Sequence, residues 1–343
     1  MLKTSVLCAK SHADMMDQLI ARFPDQVIQA LEIGKNAVIH PLTGPVHHVY
    51  VAGLGGSGIG ADFVANIIRN ECAIPYLVGK GYHVPKYVGP QSLCIASSYS
   101  GNTEETLMAF EQMRASGARI ICIASGGKLI ELAREHGYDH IKLPDDWPSP
   151  RACLGFSLIA QLSLLTRLGM ISEQRLQEVG TAIDLLRGEI SEIKEKAERI
   201  ASFLHGKIPV IYGTDRLSPV LVRFRQQINE NAKMLCWHHV IPEMNHNELV
   251  GWRDRNDQLA VIYFRSRDDF ARNQTRIDIN KEIIANYTDT IIEIFAKGSS
   301  HIEQTFYLVH LGDWISWYLA QLRGMDAVEV KVIDYLKGEL AKS

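Results

Sequence analysis

No apolar run in this chain approaches the roughly 20 residues that a membrane-spanning helix needs,. The first residues, MLKTSVLCAKSHADMMDQL, contain no long apolar stretch of the kind a secretory signal carries,. Charge of one sign is also missing. The formal net charge of −3 gives neither the basic footprint of a nucleic-acid binder nor an acidic tail,. No helix-turn-helix segment with a basic face is present. The six cysteines, Cys8, Cys72, Cys94, Cys122, Cys153 and Cys236, include no CxxC pair. Several sit in apolar runs, so buried thiols in a reducing compartment are expected. HExxH and GKS/GKT are absent, which argues against a fixed-spacing zinc site and a nucleotide P-loop. The expectations are a cytoplasmic protein, no nucleic-acid or membrane partner, no metal and no cofactor.

What is present is strand–helix alternation, twice. HHVYVAGL (47–54), PYLVG (75–79), SLCIASS (92–98), RIICIAS (119–125) and HIKLP (140–144) read as strands. Amphipathic stretches such as TEETLMAFEQMRASG separate them. Continuous apolar strands of this kind belong to parallel sheets covered on both faces. A Pro-rich break, DDWPSPRACLG (145–155), precedes a helical region over about 156–205, apolar first and charged later. The alternation then restarts with strands at 207–215, 259–266 and 289–296, a helix over 217–236, and a short terminal helix, VKVIDYLKGEL. The expected organisation is an N-terminal helical segment (1–40), kinked before Pro24, a first α/β domain (41–150), connecting helices (151–205) and a second α/β domain (206–343),. Similar size and element order suggest a duplicated fold.

Two loops carry candidate chemistry. GLGGSGIG (53–60) follows a strand, and Gly53, Gly55 and Gly58 match GxGxxG. A dinucleotide site needs an acidic residue at the end of the second strand, where this chain has Val78-Gly79-Lys80,. That reads against a nicotinamide cofactor and leaves a tight strand-to-helix turn. The second loop, Ser97-Ser98-Tyr99-Ser100-Gly101-Asn102-Thr103-Glu104-Glu105, gathers hydroxyls at the C-terminal end of a strand and the start of a helix. Free N–H groups there, with Ser98, Ser100 and Thr103 as O–H donors, suit a single phosphate group. The competing explanation is a helix cap from Thr103, with Glu104 and Glu105 in the first turn.

GGSG (55–58) together with SYSGNTEET (98–106) resembles the sugar isomerase (SIS) domain family. SPR (149–151), NENAK (229–233), PEMNHNE (242–248) and DYLK (334–337), in that order, narrow the resemblance to the bifunctional phosphoglucose/phosphomannose isomerases of the phosphoglucose isomerase superfamily. It covers about residues 45 to 340. It implies two SIS domains, each a parallel sheet with helices on both faces, in a homodimer with the active site at a domain and subunit boundary. It implies a phosphate site at Gly56, Ser57, Ser98, Ser100 and Thr103, Arg151 near the reacting carbons, and Glu230 as the base. His246, reaching in from the neighbouring subunit, and Lys337 would assist ring opening. Residues 326–331 (DAVEVK) lack the hydroxyl that members often carry there, which bears on glucose versus mannose tolerance.

The implied chemistry is an enediol route between glucose or mannose 6-phosphate and fructose 6-phosphate. One carboxylate base can move a proton between C1 and C2. Arg151 suits the developing oxyanion, and a histidine can exchange protons near neutral pH. Without the resemblance, Glu230 reads as a surface acid paired (i, i+3) with Lys233, and Arg151 as a surface residue. His238, His239, Glu243 and His246 raise metal ligation as a rival. A non-catalytic SIS sensor of sugar phosphates would keep SYSGNT without needing Glu230, His246 and Lys337. An amidotransferase would need a glutaminase domain beyond this length.

Overall fold

The computed structural model describes residues 13–342, and side chains from residue 15. Cys8 and the first twelve residues of the expected N-terminal helical segment lie outside the described residues. In chain order the elements are α1 (Ala13–Ala21), α2 (Phe23–Asn36), β1 (His48–Ala52), α3 (Gly55–Ile68), β2 (Tyr76–Gly79), β3 (Ser92–Ser97), α4 (Glu104–Ala115), β4 (Arg119–Ala124), α5 (Gly127–Glu135) and β5 (Asp139–Lys142). There follow α6 (Leu154–Arg167), α7 (Gln174–Leu204), β6 (Ile208–Thr214), α8 (Ser218–Ala232), β7 (Trp237–Ile241), β8 (Leu259–Arg265), α9 (Ala271–Ile284), β9 (Thr290–Phe295), α10 (His301–Leu322) and α11 (Lys331–Leu340). Among the described residues no helix is long and apolar enough to cross a membrane.

The chain divides into two units. One comprises residues 22–189 and 296–307, the other residues 13–21, 190–295 and 308–342. The first holds a five-stranded sheet in the order β2-β1-β3-β4-β5, every neighbour parallel. Its three central strands, β1, β3 and β4, are almost wholly buried because both faces are covered,. Tyr50, Cys94, Ile120 and Cys122 pack with Phe110, Met113, Leu129 and Ile130 of α4 and α5. The alternate residues Val49, Val51, Leu93 and Ile95 face the other way and are also buried,. On that side α6 packs against α2 and α3. The Gln26 amide donates to Ala152 O (2.8 Å) and accepts from Gly155 N (2.7 Å), fixing the start of α6.

The second unit has a four-stranded parallel sheet, β7-β6-β8-β9. Counted from β6 the order is 2-1-3-4, that of the first sheet less one strand, so the two halves share a topology. Val210, Tyr212, Val261 and Tyr263 pack with Ile277 and Ile284 of α9. Phe264 faces the other side, where its ring meets Phe224 of α8 at 5.2 Å. The buried Arg223–Asp313 pair (2.9 Å) ties α8 to α10.

One expectation needs correction. The helix expected over 217–236 stops at Ala232, because Lys233 takes a left-handed conformation (φ 56°) and its N–H caps Ile228 O,. The next five residues form β7, paired in parallel with β6. The connecting helices over 156–205 are α6, which ends at Arg167, and α7, which starts at Gln174. The break before Pro24 appears as the boundary between α1 and α2.

Candidate active site

In a 2-1-3-4-5 sheet the connections leave β1 and β3 in opposite directions, opening a crevice at their C-terminal ends,. The glycine loop follows β1 and the hydroxyl loop follows β3. Gly56 lies so close to the Pro150 carbonyl that a Cβ there would sit 3.0 Å from it. The turn Pro150–Ala152, with the buried Arg151, is thereby packed on the glycine loop. Gly53 approaches Ser97 O just as closely. The structure therefore brings Gly56, Ser57, Ser98, Thr103 and Arg151 to one edge of one sheet, while Ser100 stands exposed at the rim.

Within the hydroxyl loop, Thr103 occupies the N-cap position of α4, yet its hydroxyl makes no cap. Thr103 Oγ1 instead lies 2.8 Å from Ser98 Oγ, which also accepts from Gly101 N (3.1 Å). Glu104 and Glu105 fill the first turn, as expected of acidic residues at a helix start,. The N–H groups at the head of α4 are left without that side-chain partner, as an anion site requires. Gly101 turns the loop at φ 69°, and a Cβ there would lie 1.9 Å from Gly126 O,. Asn102 Oδ1 accepts from Lys128 N (3.0 Å), so the Gly126-Gly127 segment after β4 supports the loop from beneath. The sequence reading missed this support. The glycine doublet after a strand was the available signal.

The matching edge of the second sheet differs in charge. After β6 and β8 the Asp269 carboxylate accepts from Thr214 Oγ1 (2.5 Å) and Ser266 N (2.8 Å). Burial raises its pKa against these bonds,. A carboxylate occupies the ground where the first sheet offers hydroxyls, which disfavours an anion there.

Glu230, His246 and Lys337 belong to the second unit and come from three different elements. Glu230 is half-buried near the end of α8, between two pinned asparagines. Asn229 Nδ2 donates to Met234 O (2.6 Å), and Asn231 Nδ2 to Ser316 Oγ (2.9 Å). The Lys233 ammonium bonds the main-chain carbonyl of Glu230. His246 is exposed at the end of a short turn after β7 (Glu243–His246) and is likewise flanked by pinned asparagines. Asn245 Nδ2 reaches Asn280 Oδ1 (2.7 Å), and Asn247 Nδ2 reaches Glu243 Oε1 (2.9 Å). Lys337 lies on α11, which buries none of its residues. Burial, the Arg225 charge and His239 together push His238 down to about 4,. Among the described residues no three His, Cys, Asp or Glu side chains assemble as metal ligands would, so His238, His239, Glu243 and His246 form no such cluster.

Comparison with known proteins accounts for both halves. Residues 45–165 match the SIS domain model, and residues 193–340 match the model of the bacterial phospho-glucose isomerase C-terminal SIS domain. A bifunctional phosphoglucose/phosphomannose isomerase of Caldicellulosiruptor bescii is 38% identical, over 95% of this chain and 99% of its own. One from Aquifex aeolicus is 36% identical, over 87% and 92%. The solved C-terminal domain of glucosamine-fructose-6-phosphate aminotransferase from Francisella tularensis superposes with a TM-score of 0.73 at 13% identity, covering 94% of this chain and 99% of that one. At that identity the likeness is one of fold.

Proposed function

We propose a function that starts from kinship: the chain belongs to the bifunctional phosphoglucose/phosphomannose isomerase family, and it is an isomerase of sugar phosphates. Its reaction, on this reading, interconverts glucose 6-phosphate and mannose 6-phosphate with fructose 6-phosphate through an enediol, without a metal. The observation that supports it is the Ser98–Thr103 hydroxyl pair after β3, together with the Pro150–Ala152 turn, which carries the buried Arg151 and packs on the glycine loop after β1.

Each residue has one task. Gly56 N–H and the hydroxyls of Ser57, Ser98, Ser100 and Thr103 hold the phosphate. His246 and Lys337 serve ring opening, one proton reaching the ring oxygen as another leaves the anomeric hydroxyl. The Glu230 carboxylate takes a proton from C1 or C2, exchanges it with solvent, and delivers a proton to the neighbouring carbon. Rotation of the enediol about C2–C3 lets the same carboxylate protonate either face, which gives both aldoses. The Arg151 guanidinium balances the enediolate charge. The asparagines beside Glu230 support its role, because a base must be held within hydrogen-bond reach of its proton. The exposure of His246 supports its donation to the site of a second chain in a homodimer, and the domains expected over 41–150 and 206–343 are kept as the two SIS modules.

The test is a coupled assay of EDTA-treated protein on fructose 6-phosphate, scoring the two aldose phosphates separately. Both products are expected. Glucose 6-phosphate alone removes the mannose activity and points to the missing hydroxyl at 326–331. If neither forms, with or without added metal, the chain is a sugar-phosphate sensor.

A further inference from the structure

The turn that carries His246 is clamped at both ends. Upstream, Asn245 is bonded to Asn280 of α9. Downstream, Glu248 reaches back to the sheet. Its Oε1 accepts from Tyr212 Oη of β6 (2.5 Å) and from Trp237 Nε1 of β7 (2.9 Å). Tyr212 is fully buried and itself accepts from Trp252 Nε1 (3.2 Å), where the loop rejoins the core. Asn247 Oδ1 accepts from Glu248 N (2.6 Å), which closes the link to the residue after His246. Burial and the Glu248 charge raise the Tyr212 phenol far above its ordinary value, so it stays a donor at any working pH,. A half-buried carboxylate with two aromatic donors is more than a surface loop needs, and the two residues between the clamps, His246 and Asn247, are exposed.

We infer that Glu248 is a positioning residue: bonded to Tyr212 and Trp237, it fixes the turn so that the His246 imidazole meets the ring oxygen of the closed sugar. The inference rests on His246 acting in ring opening. It separates two stages of the reaction, because a sugar that is already open does not need this alignment. Fructose 6-phosphate closes its ring through O5. 5-Deoxyfructose 6-phosphate lacks that oxygen and stays acyclic.

The experiment measures kcat/KM on both sugars for the wild-type protein and for Glu248→Ala, Glu248→Gln, Tyr212→Phe and His246→Asn, with circular dichroism as the check on folding. Glu248→Ala is expected to lose about 10- to 100-fold on fructose 6-phosphate, the usual scale for a misplaced group, and no more than about threefold on the open sugar. Glu248→Gln should recover most of that loss, since an amide oxygen still accepts both bonds. Tyr212→Phe, which keeps the ring in the core, should show the same selectivity more weakly. Equal losses on both sugars, or none on either, overturn the inference. If His246→Asn is ring-selective and Glu248→Ala is not, the positioning role fails while the role of His246 stands. If His246→Asn is not ring-selective, both fall together.

Discussion

Replacing Thr103 by valine separates a ligand site from a helix cap. Valine keeps the β-branched shape and removes only the hydroxyl. A capping threonine would cost about 1 kcal/mol of stability on losing its oxygen. Here the hydroxyl caps nothing and lies 2.8 Å from Ser98 Oγ. Ser98 Oγ keeps its bond from Gly101 N, so the fold loses one neutral hydrogen bond, about 0.5–1.5 kcal/mol,. Toward a phosphate dianion the same hydroxyl is a charge-assisted donor worth about 1.5–3 kcal/mol. The substrate KM should therefore rise about 10- to 100-fold. The phosphate is remote from the reacting carbons and is held equally in ground and transition states, so kcat should change little. Steady-state kinetics on fructose 6-phosphate, with thermal unfolding of the same sample, measures both effects. An unchanged KM, whatever the melting temperature does, would refute the phosphate assignment.

Gly101→Ala places a methyl against the Gly126 carbonyl at a left-handed φ, so both the melting temperature and phosphate affinity should fall, as sugar-phosphate titration and calorimetry would record,. The buried His310 accepts from Trp314 Nε1 (3.2 Å), and burial holds its pKa down to about 3. In the unfolded chain it binds a proton near pH 6.5, so between about 6.5 and 3 the unfolded state holds more protons and stability drops by about 1.4 kcal/mol per pH unit of acidification. His310→Gln should flatten that slope in chemical denaturation across the window, whatever it does to stability at pH 7. An unchanged slope would assign the acid sensitivity to other groups.

The first sheet was legible because helices cover both its faces, which leaves β1, β3 and β4 as unbroken apolar runs. β7 was not. It is an edge strand with an exposed Trp237 and half-buried His238, His239 and Val240, and it follows a helix that ends on Lys233 where a glycine or asparagine would have marked the stop,. The glycine and hydroxyl loops could be read because their chemistry is contiguous in sequence. The pins could not, since Asn245 meets Asn280 and Glu248 meets Tyr212 only once α9 and β6 are in place. Sequence left Thr103 open between cap and ligand donor, because both require a hydroxyl at the same position. In the structure its Oγ1 turns to Ser98 Oγ and makes no cap, and the Thr103→Val kinetics test the ligand role.

The central claim is that the Glu230 carboxylate moves a proton between C1 and C2, and solvent labelling tests it most directly. Fructose 6-phosphate would be converted in D2O with EDTA present, and the C2 position of each aldose phosphate read by NMR, for the wild-type protein and for Glu230→Gln. The account predicts deuterium at C2 of both glucose 6-phosphate and mannose 6-phosphate, and near-complete loss of turnover and exchange in Glu230→Gln with sugar-phosphate binding largely kept. Transfer of the C1 hydrogen to C2 with no deuterium entering either product, as a hydride shift gives, or undiminished exchange in Glu230→Gln, would contradict it.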